Sequence, residues 1–281
     1  MDDAVTLAAK LGAITNLTHG FIYFAPEAAE EYAAIGLPGE HQYFASRGAC
    51  FGPVPAGVIV ATFFNFNPAL VHAVIPEAWT LADPADIQAA RMRAAGRVLA
   101  GSCGAVGDDH IAAASAIAKA MIDGLGDEGR ALAAANRAVP EPDDAWELLW
   151  QRITVLREWR GDAHVATLVA APVDAVEALI LHAATEQVPK SALVATRQWP
   201  EDAWQVGVDR LVERGLLQPD EQFTDAGRAF RDDIERRTNE ACVAMIDAVG
   251  ADEARRLIDL LKPVRGGLLE GGAFAAMGRS R

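Results

Sequence analysis

The stretch DRLVERGLLQPDEQFTDAGRAF, residues 209–230, reads as the end of one helix, a tight exit, a short hairpin and the start of another helix. Gly215 supplies the left-handed cap that closes the first helix, because a residue without a Cβ takes positive φ at no steric cost. LLQPDEQFTD can turn as a two-strand wing around Pro219 and Asp220, and Thr224 or Asp225 then caps AGRAFRDDIERRTNEACVAMIDAVG. Upstream, PEDAWQVGVDRLVERGLL (200–217) has Pro200 at its first helical position, acids in its first turn, and Trp204, Val208, Leu211 and Val212 on one face. SALVATRQW (191–199) and the apolar PVDAVEALILHAATE (172–186) supply two earlier helices. The C-terminal half is therefore expected to be a winged helix-turn-helix with a small β wing, followed by a long helix.

Leu211, Val212, Glu213, Arg214, Gly215, Leu216 and Leu217, with Thr224, Gly227 and Arg228, resemble the MarR-type winged helix. That resemblance implies a fold and not a task. A wider likeness spans about 20–240. It is carried by YFAPEA, YAAIGL, YFASRGACFGPVPAGVIVATFFNFNPALVHAVIPEAW, LREWRGDAHVATLVA, EALILHAAT and FTDAGRAFRDDIE. These resemble an actinobacterial family described only as helix-turn-helix-containing proteins. The likeness implies that the aromatic/Asn segment, Arg47 and the cluster at 157–164 belong to the family's pattern, and it carries no catalytic roles.

Charge decides how the winged helix is read. A DNA reader puts Arg, Lys, Asn or Gln from the first half of its recognition helix toward base edges. Here that half is Glu201, Asp202, Ala203, Trp204, Gln205, Val206 and Gly207. Across 200–240 eleven acidic residues oppose six arginines, and the whole chain carries −14. A field of that sign repels phosphate. DNA is thus a disfavoured partner. The element is expected to serve as a structural or dimerising module, or as one wall of a ligand cavity, and a homodimer fits the second use.

Helical punctuation dominates the N-terminal half. PEAAEEYAAIGL (26–37), DPADIQAARMRAAGRVLAG (83–101), DDHIAAASAIAKAMIDGLG (108–126) and EPDDAWELLWQRITVLREWRG (141–161) open on Pro or acids; the first three run to a Gly stop. The apolar run Val58–Phe64 fits a short strand or a buried helix equally. Pro68 forces a break at Asn67, with a second helix expected over 69–78. NRAVPEPDD (136–144) marks a boundary between an N-terminal helical domain, 1–140, and a second domain, 141–281. VRGGLLEGGAFAAMGRSR (264–281) reads as an irregular tail. The fold class is mainly α.

Two constellations carry chemistry. Seven of the ten Phe lie between residues 21 and 66, with all three Tyr. Tyr23, Phe24, Phe64 and Phe66, with Asn65, Asn67 and Arg47 as aimed polar groups, fit a pocket for a flat or apolar ligand, and fit an aromatic core as well. A buried amide needs a partner, structural or ligand. In LREWRGDAH (156–164), Arg157, Arg160 and His164 share a helix face and can grip an anion; Asp162 can orient the imidazole if Gly161 distorts the helix. An interdomain salt-bridge cluster is the competing reading. His72 and His182 lie singly in apolar helices, and Arg47 precedes Cys50 closely enough to lower a thiol pKa.

No HxxxH, HExxH, CxxC, GxSxG or phosphate-cradling glycine motif occurs, so no metal is expected. No cofactor is indicated, and a haem or another flat chromophore stays open. Three scattered cysteines fit a reducing compartment. No apolar run approaches the ~20 residues of a membrane span. The expected setting is cytoplasmic, without a membrane partner. The leading expectation is a protein that senses or sequesters a small apolar or aromatic molecule held between the two domains. A ligand-responsive DNA-binding regulator and an enzyme using His164 and Asp162 are the alternatives.

Overall fold

The computed structural model describes residues 3–274. The N-terminal part holds α1 (Ala4–Gly20), a 3-10 turn (Phe21–Tyr23), α2 (Pro26–Ala34), α3 (Gly39–Gly48), a second 3-10 turn (Ala49–Phe51), α4 (Ala56–Phe63), α5 (Pro68–His72), α6 (Ala78–Leu81), α7 (Pro84–Cys103), α8 (Asp108–Asp123) and α9 (Ala131–Arg137). Then follow α10 (Ala145–Ala170), α11 (Ala175–Ala183), α12 (Lys190–Arg197), α13 (Glu201–Glu213), α14 (Asp225–Glu240), α15 (Val243–Val249) and α16 (Ala251–Glu270). The starts are set locally. Asp83 accepts from Ala85 N–H at 2.8 Å, Asp144 from Trp146 and Glu147 at 2.9 and 3.0 Å, and Asp174 with Glu177 forms a reciprocal capping box.

α10 is the hub. It packs against α1, α7, α8, α9 and α14, and from Leu149 to Trp159 it buries side chains all around its circumference. That is why it shows no polar face. One core joins α2, α3, α4 and α7 and takes in Val264, Leu268 and Phe274; a second joins α1, α8, α10, α15 and α16. Residues on both sides of the 136–144 turn thus share their cores. A smaller core belongs to the helix-turn-helix: Leu179, Ile180, Leu193, Trp204, Val208, Leu211 and Leu217.

Several expectations change. The undecided run at 58–64 is helical, ending at Phe63. The helix expected over 69–78 is interrupted, α5 closing at His72 and α6 opening at Ala78. The Gly-rich end does not leave the body: α16 runs to Glu270. Its glycines let it lie directly on the end of α7, since a Cβ at Gly267 would stand 2.6 Å from the Ser102 carbonyl oxygen. The rest of that expected tail, 275–281, lies outside the described residues. Among the described residues no single helix is long and apolar enough to cross a membrane.

The β wing does not form. Among the described residues there is no strand, and the hairpin holds one antiparallel bridge, Leu217 to Phe223. Only five residues lie between the bridged pair, and the intervening turn, with Glu221 at φ 65°, uses them up. The motif residues serve the helix junction instead. Thr224 Oγ1 donates to the Gly215 carbonyl at 2.6 Å and accepts from Gly227 N–H at 2.9 Å, capping α14. A Cβ at Gly227 would fall 1.8 Å from the Leu216 carbonyl oxygen, so only glycine permits that approach. Gly227→Ala is expected to cost about 2 kcal/mol through forced displacement, read as a lower denaturant midpoint at unchanged slope.

Candidate ligand site and its contact with the helix-turn-helix

α1, α3, α7 and α10 bring four buried polar side chains together: His19, Arg47, Arg91 and Glu158. Glu158 accepts from Arg47 at 3.2 and 3.4 Å and pairs with its neighbour Arg157, whose Nε reaches Asn16 at 3.3 Å. Arg91 donates to the Ser46 carbonyl at 3.2 Å and to the Tyr23 hydroxyl at 3.1 Å. Burial alone would raise the Glu158 carboxyl, but Arg157, Arg47 and Arg91 overcome it and hold its pKa below the ordinary value.

His19 stacks on Trp150, ring centroids 5.3 Å apart. Its tautomer follows from the network. Thr154 spends its one hydroxyl proton on the Trp150 carbonyl at 2.9 Å, so it accepts from His19 Nδ1–H at 2.9 Å. His19 Nε2 then accepts from the Tyr23 hydroxyl at 2.8 Å. Burial, aided by Arg157, Arg91 and Arg47, holds this imidazole neutral, its pKa well below 6.5.

Aromatic rings wall the cluster. Tyr23 and Tyr43 lie 5.2 Å apart, Tyr43 and Phe66 5.3 Å. The Arg47 guanidinium sits 4.1 Å from the Phe63 ring centroid, and that of Arg197 sits 4.4 Å from Phe66. Tyr23, Tyr43 and Arg197 keep part of their surface accessible and form the cluster's least buried side. Burial would raise the Tyr43 phenol; Arg47, which also donates to its oxygen at 3.1 Å, and Arg197 reverse this and lower its pKa.

Arg197 ends α12, so this site touches the helix-turn-helix itself. After α4 the chain reverses at Phe64, a non-glycine residue at φ 45°, and Asn65–Asn67 clasp the turn between α12 and α13. Asn67 N–H donates to the Arg197 carbonyl at 3.2 Å, Asn67 Nδ2 to the Gln198 carbonyl at 2.8 Å, and Trp199 Nε1 to the Asn65 carbonyl at 3.0 Å. The clasped turn carries its own positive φ at Gln198, 51°. The Asn67 amide beside the phenylalanines thus has a structural partner. Two locally costly conformations are held against each other.

The remaining expected residues are placed elsewhere. Phe24 and His72 are exposed. Phe64 packs near Leu168, Ala178 and Ile234. Arg160 binds Glu235 at 2.8 Å and Asn239 at 3.3 Å on α14. His164 donates from Nδ1 to Thr238 at 3.0 Å, Thr238 having given its proton to the Ile234 carbonyl. Burial lowers the His164 pKa to about 4 and also lowers that of His182. Asp162 does not meet His164. It accepts from Ala133 N–H at 2.9 Å, at the start of α9, because residues two apart on an undistorted helix point to different neighbours. The acid-base pair of the enzyme reading therefore does not form. Cys50 is not activated either, since burial pushes its thiol up to about 12. Among the described residues no group of three or more His, Cys, Asp or Glu could hold a metal.

Tyr43, Phe63, Arg91 and Arg197 were not among the expected site residues; Glu158 entered only as part of the 156–164 cluster and His19 only as a flank of the aromatic segment. Two carried a signal. Arg91 shares the apolar face of Ile87, Ala94, Ala95 and Val98, and Glu158 continues a stripe with Gln151 and Thr154 on a helix that is otherwise packing.

α13 lies against α11 closely enough that a Cβ at Gly207 would stand 2.7 Å from Ile180. Trp204, Val208 and Leu211 face inward; Glu201, Asp202, Gln205, Asp209 and Glu213 face out. A helix-turn-helix family model matches residues 8–275. The chain belongs to the helix-turn-helix family. No curated protein and no solved structure matches it. This family member ties down the arginines of its second helix-turn-helix half: Arg210 binds Glu177 at 2.9 Å and pairs with Asp174, and Arg214 reaches Glu177 at 3.4 Å.

Proposed function

We propose that the protein senses or sequesters a small organic molecule held between its N-terminal helical body and its helix-turn-helix. The observation that carries this is the junction of Arg197 and the Asn65–Asn67 clasp with the arginine and aromatic cluster. A guest touching Tyr43, Phe66 and Arg197 would contact the body and the helix-turn-helix at once. Occupancy would then bias the turn between α12 and α13, an element already held in a locally costly conformation. Native mass spectrometry and an absorption spectrum of freshly purified protein test this directly, by finding a bound small molecule or a chromophore. A ligand so identified, at a hundredfold its Kd, should add about 2.7 kcal/mol of stability, and Phe66→Ala should abolish that gain. Ligand-free protein whose melting stays unchanged across a broad aromatic panel would end this reading.

Membership in the helix-turn-helix family, with the MarR-type likeness of residues 209–230, favours a second reading as a ligand-responsive DNA-binding regulator. The outward carboxylates of α13 oppose it. On our reading, a mobility-shift experiment with the protein's own promoter region shows no complex even at about 50 mM salt, where phosphate contacts are strongest. A sequence-specific complex would install the regulator instead.

A further inference from the structure

The cluster facing the helix-turn-helix does not balance its own charge. Arg47, Arg91 and Arg157 all act on Glu158, Arg47 and Arg157 also act on Arg197, and Glu158 is the one carboxylate among the described residues that these arginines are shown to share. The next carboxylate along the seam, Glu235, is already taken by Arg160 and Arg231. Arginine keeps its proton in proteins, so the excess cannot be shed by titration. Arg47 and Arg91 are buried, and the Nε–H groups of Arg47, Arg91 and Arg197 are enclosed without an acceptor. An orphaned donor on a buried cation is among the more costly arrangements a fold can hold. Tyr43 offsets part of it, by offering its oxygen to Arg47.

Resting on the binding reading above, we propose that the guest is an organic acid: a carboxylate on a flat, unsaturated body. Its carboxylate would supply the negative charge and the acceptors that the guanidinium N–H groups lack, in the planar geometry that suits a fork of donors. Its body would lie among Tyr43, Phe63 and Phe66, which offer ring faces and edges to a flat partner. Inorganic phosphate would satisfy the cations but would make no use of those rings.

The test is calorimetric titration of the full chain with benzoate and 2-naphthoate, with their neutral amides, and with inorganic phosphate. The acids are expected to bind at least about thirtyfold more tightly than their amides, the loss typical of an unpaired buried charge. Arg197→Gln, at the accessible edge, should weaken acid binding about tenfold or more. Glu158→Gln removes the carboxylate that competes for the same cations and should tighten acid binding by about tenfold; a gain of affinity does not arise from misfolding. Amides binding as well as acids would overturn the acid assignment while leaving small-molecule binding in place. Phosphate matching the acids would overturn it in favour of a simple anion site. Silence from every probe would overturn it too, and the fate of the binding reading would then rest on native mass spectrometry.

Discussion

Replacing Glu158 by alanine lowers the unfolding free energy by about 3–5 kcal/mol, because it strands buried cations rather than merely deleting a contact. Glu158 is the carboxylate to which Arg47 and Arg157 both bind, and Arg91 lies within their field. In a chain of this size the loss corresponds to roughly 5–9 °C in Tm. A conventional surface ion pair would lose at most about 1 kcal/mol, so the magnitude separates the two descriptions. The deficit should also respond to anions. An organic acid at a hundredfold its Kd would return about 2.7 kcal/mol to the variant. A Glu158→Ala protein that melts within a degree of the parent would show that the cluster is already neutralised by other means.

Stability falls as the solution is acidified from pH 7 toward 5, earlier than carboxylate protonation would bring it about. His19, His164 and His182 all have folded pKa values lowered chiefly by burial, that of His164 to about 4. Below 6.5 the unfolded chain takes up protons at these positions while folded His19 and His164 stay neutral, so stability drops with falling pH at up to about 1.4 kcal/mol per pH unit for each of these two, and His182 adds in the same direction. Asp162 works in the opposite sense. Burial, opposed by the N–H groups of Ala133 and Leu132, raises its pKa to about 6, so below that value the folded state holds a proton the unfolded state lacks. It cancels about one of these protons, leaving a net slope of roughly 1.4 to 2.7 kcal/mol per pH unit between pH 6 and 5. The lowered carboxylates, Glu158 and Glu235, add their own loss only below about 4.5. Denaturant unfolding at pH 7.5, 6 and 5 gives the slope, and His164→Gln should flatten it by about 1.4 kcal/mol per unit. Stability constant across that range would mean that these imidazoles charge as freely in the folded protein as outside it.

The Asn67 segment shows where reading by residue type stops. An amide among phenylalanines needs a partner, and Pro68 forces the break beside it. Both follow from local chemistry. That the partner is the backbone of Gln198 requires α4 to reverse at Phe64 and α12 to end opposite it, 131 residues away in sequence. The same limit applies at 157–164. Helical spacing places Arg157, Arg160 and His164 along one helix and says nothing of what lies across from them. α14 claims Arg160 and His164, and the α9 start claims Asp162. The wing failed for a related reason. Gly215, Thr224 and Gly227 are turn and cap residues in any hairpin, and the number of residues between Leu217 and Phe223 leaves room for one bridge.

From its sequence alone this protein is a chain of capped helices ending in a helix-turn-helix motif whose second helix shows carboxylates to the outside, because caps, periodicity and charge are written within a few turns of one another. What the tertiary structure alone decided is the meeting of His19, Arg47, Arg91, Glu158 and Arg197. Those side chains come from five separate helices, and a buried excess of positive charge is a property of their joint desolvation, which no single segment carries.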